Sequence, residues 1–320
     1  MRRIFITGAG GFVGRYVLDA LSAAPTPSQV TAPSVSGRAG QTLDIADADA
    51  VDKMIETCKP DAVIHLAAVA LPREARNAPE QAWAVNFQGT LNIARSLRRH
   101  CSNARMVFAG SSEAYGAAFK KIEGAINEDA PLMPQTIYSA TKACADIALG
   151  QMAADGLDCI RFRPFNHTGP GQAPHYVVAD FARQVAEIEA GLRPPVIRVG
   201  NLDAERDFLD VRDVARAYVL AATGDLNPAP DTAFNLASGQ SYRIGSILEA
   251  LLDQASVPIA VEKDPARMRP SDIPRTLGDA GRALDIFGWK TQIDMQKTIS
   301  DVLVDQRFLV STMAHEKGGR

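Results

Sequence analysis

Apolar runs of strand length alternate with amphipathic segments of helix length through the first half of the chain. The apolar runs predict strands at residues 2–8, 60–68, 104–112 and 157–166. Apolar residues spaced three to four positions apart predict helices at 12–24, 83–100 and 138–156. Because apolar strands that alternate with helices are typical of a parallel sheet covered on both faces, the pattern predicts an α/β fold with a doubly wound parallel sheet.

The second half follows a different pattern, because proline and glycine become frequent after Asn166. We expect a first domain over residues 1–165 plus about 200–237. A smaller C-terminal α/β lobe is expected over residues 166–199 plus about 238–310. The chain is therefore predicted to cross between the two units more than once.

Four segments have a more specific prediction. Residues 207–222 and 232–238 are expected to return to the main sheet. Residues 24–40, rich in small residues and proline, are expected to hold a weak second strand and a surface loop. Residues 311–320 are predicted to be a disordered tail.

The composition excludes several classes of function. Of 320 residues, 46% are hydrophobic and 22% are charged, as in ordinary globular proteins, and the net charge of −3 offers no basic surface for nucleic acid. Apolar runs are interrupted before membrane-spanning length, and the first run ends in glycines, unlike a signal peptide. The four cysteines lack metal-binding spacing. We therefore expect a cytoplasmic protein without a metal or membrane partner.

The stretch "TGAGGFVG" places Gly8, Gly11 and Gly14 between the first strand and the first helix. Glycines there permit a tight turn, and the backbone N–H groups at the helix start attract a pyrophosphate. The helix opens with Phe12 and Val13, which are expected to contact the same ligand. The stretch predicts a Rossmann-type, NAD(P)-binding first domain. Its GxxGxxG spacing resembles that of extended short-chain dehydrogenases/reductases.

The choice between NADP and NAD depends on the residues after the second strand. An acidic residue there usually holds the ribose of NAD, but "VTAPSVSGR" has none. Ser34, Ser36 and Arg38 are suited to a 2′-phosphate, so NADP is favoured over NAD. The family resemblance further implies an adenine contact at Asp44 and Ile45, and a floor under the cofactor formed by Leu66, Ala67 and Ala68.

Tyr138 and Lys142 lie one helical turn apart and therefore share a helix face. A neighbouring ammonium and an oxidised nicotinamide are expected to lower the pKa of the phenol and fit it for proton exchange with a substrate oxygen. Ser111, at the end of the preceding strand, is suited to orient that oxygen, and Ser112 could compete for this role. Together the three residues predict hydride transfer at a carbinol or ketone carbon.

Three segments of the second half resemble enzymes that modify GDP-mannose derivatives: "RPFNHTGPGQ", "VGNLDAERDFLDVRDVARAY" and "RMRPSDIPRTLGD". The likeness runs from Arg3 to about Arg307 and is greatest to the GDP-4-keto-6-deoxy-D-mannose reductases (GDP-6-deoxy-D-mannose or GDP-D-rhamnose synthases), which are related to GDP-mannose 4,6-dehydratase. This resemblance implies that the C-terminal lobe binds a nucleotide sugar. It implies that Arg206 and Arg269 contact the pyrophosphate of the substrate and that Asp272 contacts its ribose. It also implies that Asn166 and Asn201 contact the sugar or the diphosphate.

Glu113, in "SSEAYG", leaves the reaction open. A 4,6-dehydratase needs an acid/base beside C5 and C6 of the sugar, and Glu113 stands where that enzyme carries its glutamate. A 4-reductase needs a hydride from NAD(P)H and a proton for the C4 ketone, but no second acid/base. The sequences of the motifs and the short length of the chain favour the reductase. The same residues also leave room for a 4-epimerase and for a NAD(P)-sensing binding protein that is not an enzyme. The product of a reductase stays open between the rhamnose and 6-deoxytalose configurations.

The helices predicted over 86–100 and 138–156 each carry an apolar stripe. In related enzymes the corresponding helices form a four-helix interface between two subunits, so the resemblance implies a homodimer. Without such an interface, both stripes would only cover the sheet.

Overall fold

The computed structural model describes residues 1–25, 27–34, 42–225, 233–267 and 273–318. The strands within these residues are β1 (Arg2–Thr7), β2 (Ser28–Thr31), β3 (Ala62–His65), β4 (Arg105–Ala109), β5 (Cys159–Pro164), β6 (Asn166–Thr168), β7 (Val196–Val199), β8 (Glu205–Asp210), β9 (Ala233–Leu236), β10 (Ser241–Arg243) and β11 (Ala260–Lys263). The α-helices are α1 (Phe12–Ser22), α2 (Ala48–Cys58), α3 (Pro72–Asn77), α4 (Pro79–Trp83), α5 (Thr90–His100), α6 (Ile137–Ala154), α7 (Val177–Glu189), α8 (Val211–Thr223), α9 (Ile244–Leu252), α10 (Gly281–Phe287) and α11 (Met295–Gly318).

Six parallel strands form the main sheet in the order β2-β1-β3-β4-β5-β9. Every residue of β3 and β5 is buried, because each face of the sheet is covered by its own apolar cluster. The predicted α/β fold with a doubly wound parallel sheet is thereby confirmed. The carboxyl ends of these strands lie along one edge, where ligands bind in open parallel sheets.

The helix predicted over 83–100 is divided into three parts. The short helix α4 passes into a π-helical turn, Ala84–Gly89, which leads into α5. Its Asn86 side chain accepts a hydrogen bond from Val69 N at 2.7 Å and donates to Val69 O and to Thr141 on α6. Such turns often occur next to functional sites, and this one ties the end of β3 to α6.

The second lobe has a three-stranded sheet, β10-β8-β6, a two-stranded sheet, β11-β7, and its own apolar cluster between α7, α9 and α11. The expectation for 232–238 is confirmed, since β9 pairs with β5. For 207–222 it is wrong in its first part. β8 pairs with β6 and β10 instead, because β9 occupies the edge beside β5, whereas α8 packs against α1 and the main sheet. The domain limits themselves stay a prediction.

The last helix, α11, continues to Gly318 and includes most of the segment that the sequence predicts to be a disordered tail. Val310 is buried and anchors the helix just before that segment, so that the backbone continues helically beyond it. Among the described residues, no helix combines the length and the apolar character needed to cross a membrane.

Candidate active site

A tight turn joins β1 to α1 at the edge of the main sheet. Gly8 has a φ of +75°, and Gly11 N donates to Gly8 O at 3.0 Å. A side chain at Gly14 has no room, because its Cβ would lie 2.4 Å from Gly8 O. Helix α1 starts at Phe12 without a side-chain cap, so its first N–H groups are available to an anion.

A cavity of about 910 Å³ opens beside this turn. The predicted cofactor residues that line it are Gly8, Gly11, Phe12, Val13, Gly14, Asp44, Ile45, Leu66, Ala67, Ala68, Tyr138 and Lys142. Arg38 and Ser36 lie outside the described residues, whereas Ser34 is part of the lining. The glycine turn, the uncapped helix start and a long cleft along the strand ends together fit a dinucleotide.

A directed hydrogen-bond chain supports the floor of the cavity. The Thr90 hydroxyl donates to Asn86 O, and so it accepts from His65 Nε2 at 2.9 Å. Nδ1 of His65 is then the acceptor for the Thr7 hydroxyl, which in turn accepts from Ala67 N. Burial lowers the pKa of His65 to about 3. The ring is neutral and holds the floor in place, as expected for a structural histidine.

Helix α6 presents Tyr138 and Lys142 to the cavity. Thr136 and Ser139 form a reciprocal capping box that starts the helix just before Tyr138. Lys142 is buried, and its Nζ donates to Ala109 O at 2.7 Å and lies 5.1 Å from the centre of the Phe108 ring. Burial lowers the pKa of Lys142 to about 8. The helix thus places an ammonium at the end of β4.

Ser111 follows β4 and caps the 3₁₀ segment Ser112–Lys120, where its hydroxyl accepts from Glu113 N at 3.1 Å. Burial raises the pKa of the Tyr138 phenol above its usual range, the charge of Glu113 raises it further, and a hydrogen bond with Ser111 opposes both. The protein groups alone therefore keep the phenol protonated, whereas the lowered pKa expected from the sequence also counts the charge of an oxidised nicotinamide. Ser111 and Tyr138 meet at one point of the cavity wall.

Glu113 lines the same cavity, to which its side chain is exposed, although protein surrounds it on most sides. This enclosure raises the pKa of the Glu113 carboxyl, and the charge of Arg206 partly opposes the rise. Burial in turn lowers the pKa of Arg206, and Glu113 partly restores it. Arg206 lies in β8 of the three-stranded sheet, whereas Glu113 follows β4 of the main sheet.

The predicted substrate residues are only partly brought together. Asn166, at the start of β6, lines the cavity. Arg206 lies close enough to Glu113, a cavity residue, for its charge to lower the pKa of that carboxyl. The Asn201 side chain accepts a hydrogen bond from Asp203 N at 2.9 Å within its own turn. The cavity lining among the described residues includes neither Arg206 nor Asn201. Arg269 and Asp272 lie outside the described residues.

Tyr176 and His167 are among the cavity residues that were not predicted as ligand contacts. Tyr176 precedes α7 and faces the same space as Tyr138, whose pKa it helps to raise. His167 stacks on Phe12 with a 2° angle between the rings and bonds Phe165 O through Nδ1. No motif singles out Tyr176, since only the packing of the second lobe brings it to the site.

The comparisons with known proteins agree with this geometry. A family model described as GDP-mannose 4,6 dehydratase matches residues 5–302. A GDP-6-deoxy-D-mannose reductase of Pseudomonas aeruginosa is 34% identical over 95% of this chain and 97% of its own. The structure of RMD from Pseudomonas aeruginosa complexed with NADPH has a TM-score of 0.86 and 31% identity, over 97% of this chain and 100% of that one. A GDP-mannose 4,6 dehydratase of Arabidopsis thaliana is 26% identical over 82% of this chain and 70% of its own.

Proposed function

The chain belongs to the GDP-mannose 4,6 dehydratase family, and from that premise we propose that it reduces the C4 ketone of GDP-4-keto-6-deoxy-D-mannose to GDP-6-deoxy-D-mannose (GDP-D-rhamnose). It is an NAD(P)-dependent oxidoreductase, and NADP is the favoured cofactor. The observation that carries the proposal is the meeting of Ser111, Tyr138 and Lys142 in one cavity with the glycine turn.

A nicotinamide cofactor held in this cavity would supply the hydride for C4 of the sugar. Tyr138 donates its proton to the ketone oxygen as that oxygen gains charge, and solvent then returns a proton to the phenolate. The raised pKa of the phenol suits this direction, because the group that must give a proton carries one at neutral pH. Ketone, hydride and one proton yield the secondary alcohol, so the step is balanced.

Ser111 and Lys142 have supporting roles in this proposal. The Ser111 hydroxyl, already bonded to Tyr138, orients the ketone oxygen. The Lys142 ammonium binds the ribose next to the nicotinamide and stabilises the phenolate after proton donation. Lys142 lies within α6 and Ser111 caps the 3₁₀ segment after β4, and such regular elements fix positions better than a loop does.

Substrate binding is assigned to residues of the second half of the chain. Arg206 and Arg269 neutralise the GDP pyrophosphate, since a guanidinium matches phosphate oxygens in pairs. Asp272 binds the ribose hydroxyls, and Asn166 and Asn201 contact the sugar or diphosphate. Asn166 has direct support from its place in the cavity wall, and Arg206 has support from its coupling to Glu113.

The dehydratase is the second candidate, because Glu113 lines the cavity beside Tyr138. A carboxyl with a raised pKa is suited to proton transfer at C5 and C6. The lengths of the relatives support the reductase instead. The chain covers 97% of the Pseudomonas aeruginosa reductase but only 70% of the Arabidopsis thaliana dehydratase. In a reductase Glu113 orders the loop and tunes Tyr138.

The assembly and location are proposed from the sequence. A homodimer through α5 and α6 is proposed, and Ile147 of α6, which is 61% exposed, supports it as an apolar side chain on that surface. A cytoplasmic location agrees with four cysteines that form no disulfide.

The test uses purified protein with NADPH and chemically defined GDP-4-keto-6-deoxy-D-mannose, followed by NMR of the product. We expect NADPH oxidation and a C4 alcohol, whose configuration distinguishes rhamnose from 6-deoxytalose. GDP-mannose with NADP but no ketosugar is the parallel reaction. Formation of a 4-keto sugar in the parallel reaction would show that the protein is a dehydratase. Binding of NADPH without turnover of either sugar would favour a NAD(P)-sensing binding protein.

A further inference from the structure

A fully buried ion-pair network lies behind the candidate active site. Arg163 in β5 donates through Nε and Nη2 to the two carboxylate oxygens of Asp146, each at 2.9 Å. Its Nη1 donates to the Tyr115 hydroxyl and to Glu128 O, each at 3.0 Å. The guanidinium also lies 5.1 Å from the centre of the Tyr115 ring. Each nitrogen of this guanidinium thus donates to a specific partner.

The two ends of the network belong to the two segments that carry the proposed catalytic groups. Asp146 is on α6, one turn after Lys142. Tyr115 is in the 3₁₀ segment that Ser111 caps. A Cβ at Gly110, the residue before Ser111, would lie 3.6 Å from Asp146 Oδ2, so the carboxylate also reaches the start of this segment.

The far side of Tyr115 is fixed as well. Its hydroxyl accepts from Arg163 and donates to Asn235 Oδ1 in β9 at 2.8 Å. Burial raises the pKa of Tyr115 to about 12, although Arg163 opposes the rise, so the phenol is neutral and can donate. The segment after Ser111 is therefore held against β5 and β9 through one hydroxyl.

We infer that Arg163 and Tyr115 are positioning residues, which hold the Ser111 segment at a fixed place relative to Tyr138 and Lys142. Ser111 and Tyr138 must converge on one substrate oxygen although they come from different segments. Small misplacements of reacting groups reduce turnover strongly, and a buried hydrogen-bond network resists such movement. The inference concerns the same site as the proposed function and rests on it for its kinetic test.

The sharpest variant is Tyr115→Phe, because it removes one hydroxyl and leaves the Arg163–Asp146 ion pair in place. Trp289→Phe is the matched control. Trp289 is buried in the same apolar cluster and also loses one buried hydrogen bond, from Nε1 to Asp213 O at 2.9 Å. It has no part in the proposed site, so its variant reports what a general loss of core stability does.

We expect Tyr115→Phe to lower kcat for ketone reduction by roughly tenfold, with KM for sugar and NADPH almost unchanged. Trp289→Phe, at a similar loss in Tm, should keep kcat near wild type. The inference is overturned if Tyr115→Phe keeps the wild-type kcat, or if Trp289→Phe loses as much.

A second readout does not depend on the substrate. The amides of Glu113 and Ala114 bond to the side chain and carbonyl of Ser111, each at 3.1 Å. Hydrogen exchange of this peptide should be faster in Tyr115→Phe than in wild type or Trp289→Phe. If the wild-type protein reduces no 4-keto sugar, the proposed function fails, but the hydrogen-exchange comparison still tests the inference. Equal exchange of this peptide in Tyr115→Phe and Trp289→Phe overturns the inference.

Discussion

Nζ of Lys142 donates a hydrogen bond of 2.7 Å to the carbonyl oxygen of Ala109, two positions before Ser111. This bond joins the helix of Tyr138 to the strand whose end carries Ser111. It also satisfies one proton of a buried ammonium, whose pKa burial has lowered to about 8. The lowered pKa makes the charge of Lys142 sensitive to pH just above neutrality.

The first prediction concerns stability against pH for Lys142→Met. The pKa of Lys142 is about 8 in the folded protein, against an ordinary value of 10.5, so the unfolded chain binds more protons between these values. Wild-type stability must therefore rise relative to the variant across this window, by up to about 1.4 kcal/mol per pH unit. Urea unfolding of both proteins at several pH values measures the difference. A constant difference from pH 7 to 10 would contradict the lowered pKa.

The second prediction concerns the glycine turn. Gly14→Ala forces a Cβ against Gly8 O and Ala9 O, at 2.4 and 2.5 Å, and should lower the free energy of unfolding by about 1–3 kcal/mol. Gly10→Ala is the matched control for stability, since no atom lies within 4 Å of its Cβ. Thermal unfolding without cofactor measures both. Equal Tm values for the two variants would show that the turn relaxes more easily than its geometry implies.

The sequence predicted the parts of the protein that depend on local pattern. Buried strands such as β5 are continuous apolar runs, and the glycine turn and the Tyr138–Lys142 pair follow fixed spacings, so each was visible without a structure. The partner of β8 was not, because strand pairing between distant segments leaves no trace in either strand alone. Arg163 and Tyr115 were missed for the same reason, since only folding brings an arginine of one strand to a tyrosine of another segment.

Electrostatics was the least predictable property of the site. The sequence suggested that Lys142 and an oxidised nicotinamide together would lower the pKa of Tyr138, and it gave no sign that burial and the charge of Glu113 raise it. Both effects depend on how closely the folded chain surrounds Tyr138. The neighbouring carboxylate could be read from the sequence, but the degree of enclosure could not.

The third prediction is that Tyr138→Phe lowers turnover by roughly 10²-fold or more while NADPH binding is retained, because only the proton donor is lost. Tyr242→Phe is the control, since its hydroxyl donates to the Gln240 side chain at the surface and Tyr242 is not among the described residues that line the cavity. Steady-state kinetics and titration of NADPH fluorescence separate the two quantities. Near-normal turnover of Tyr138→Phe would remove this residue from the proposed mechanism.

The last prediction concerns Glu113→Gln, which distinguishes the two candidate reactions. In a reductase the carboxyl only tunes its neighbours, so kcat for ketone reduction should fall by no more than about tenfold. Its charge also helps to raise the pKa of Tyr138, so the variant should lose activity at a lower alkaline pH than wild type. Glu123→Gln, at an exposed position of the same chain region, controls for a lost surface charge. The pH profile of kcat/KM measures both effects. Complete loss of ketone reduction in Glu113→Gln alone would give the carboxyl a direct part in proton transfer, as a dehydratase requires.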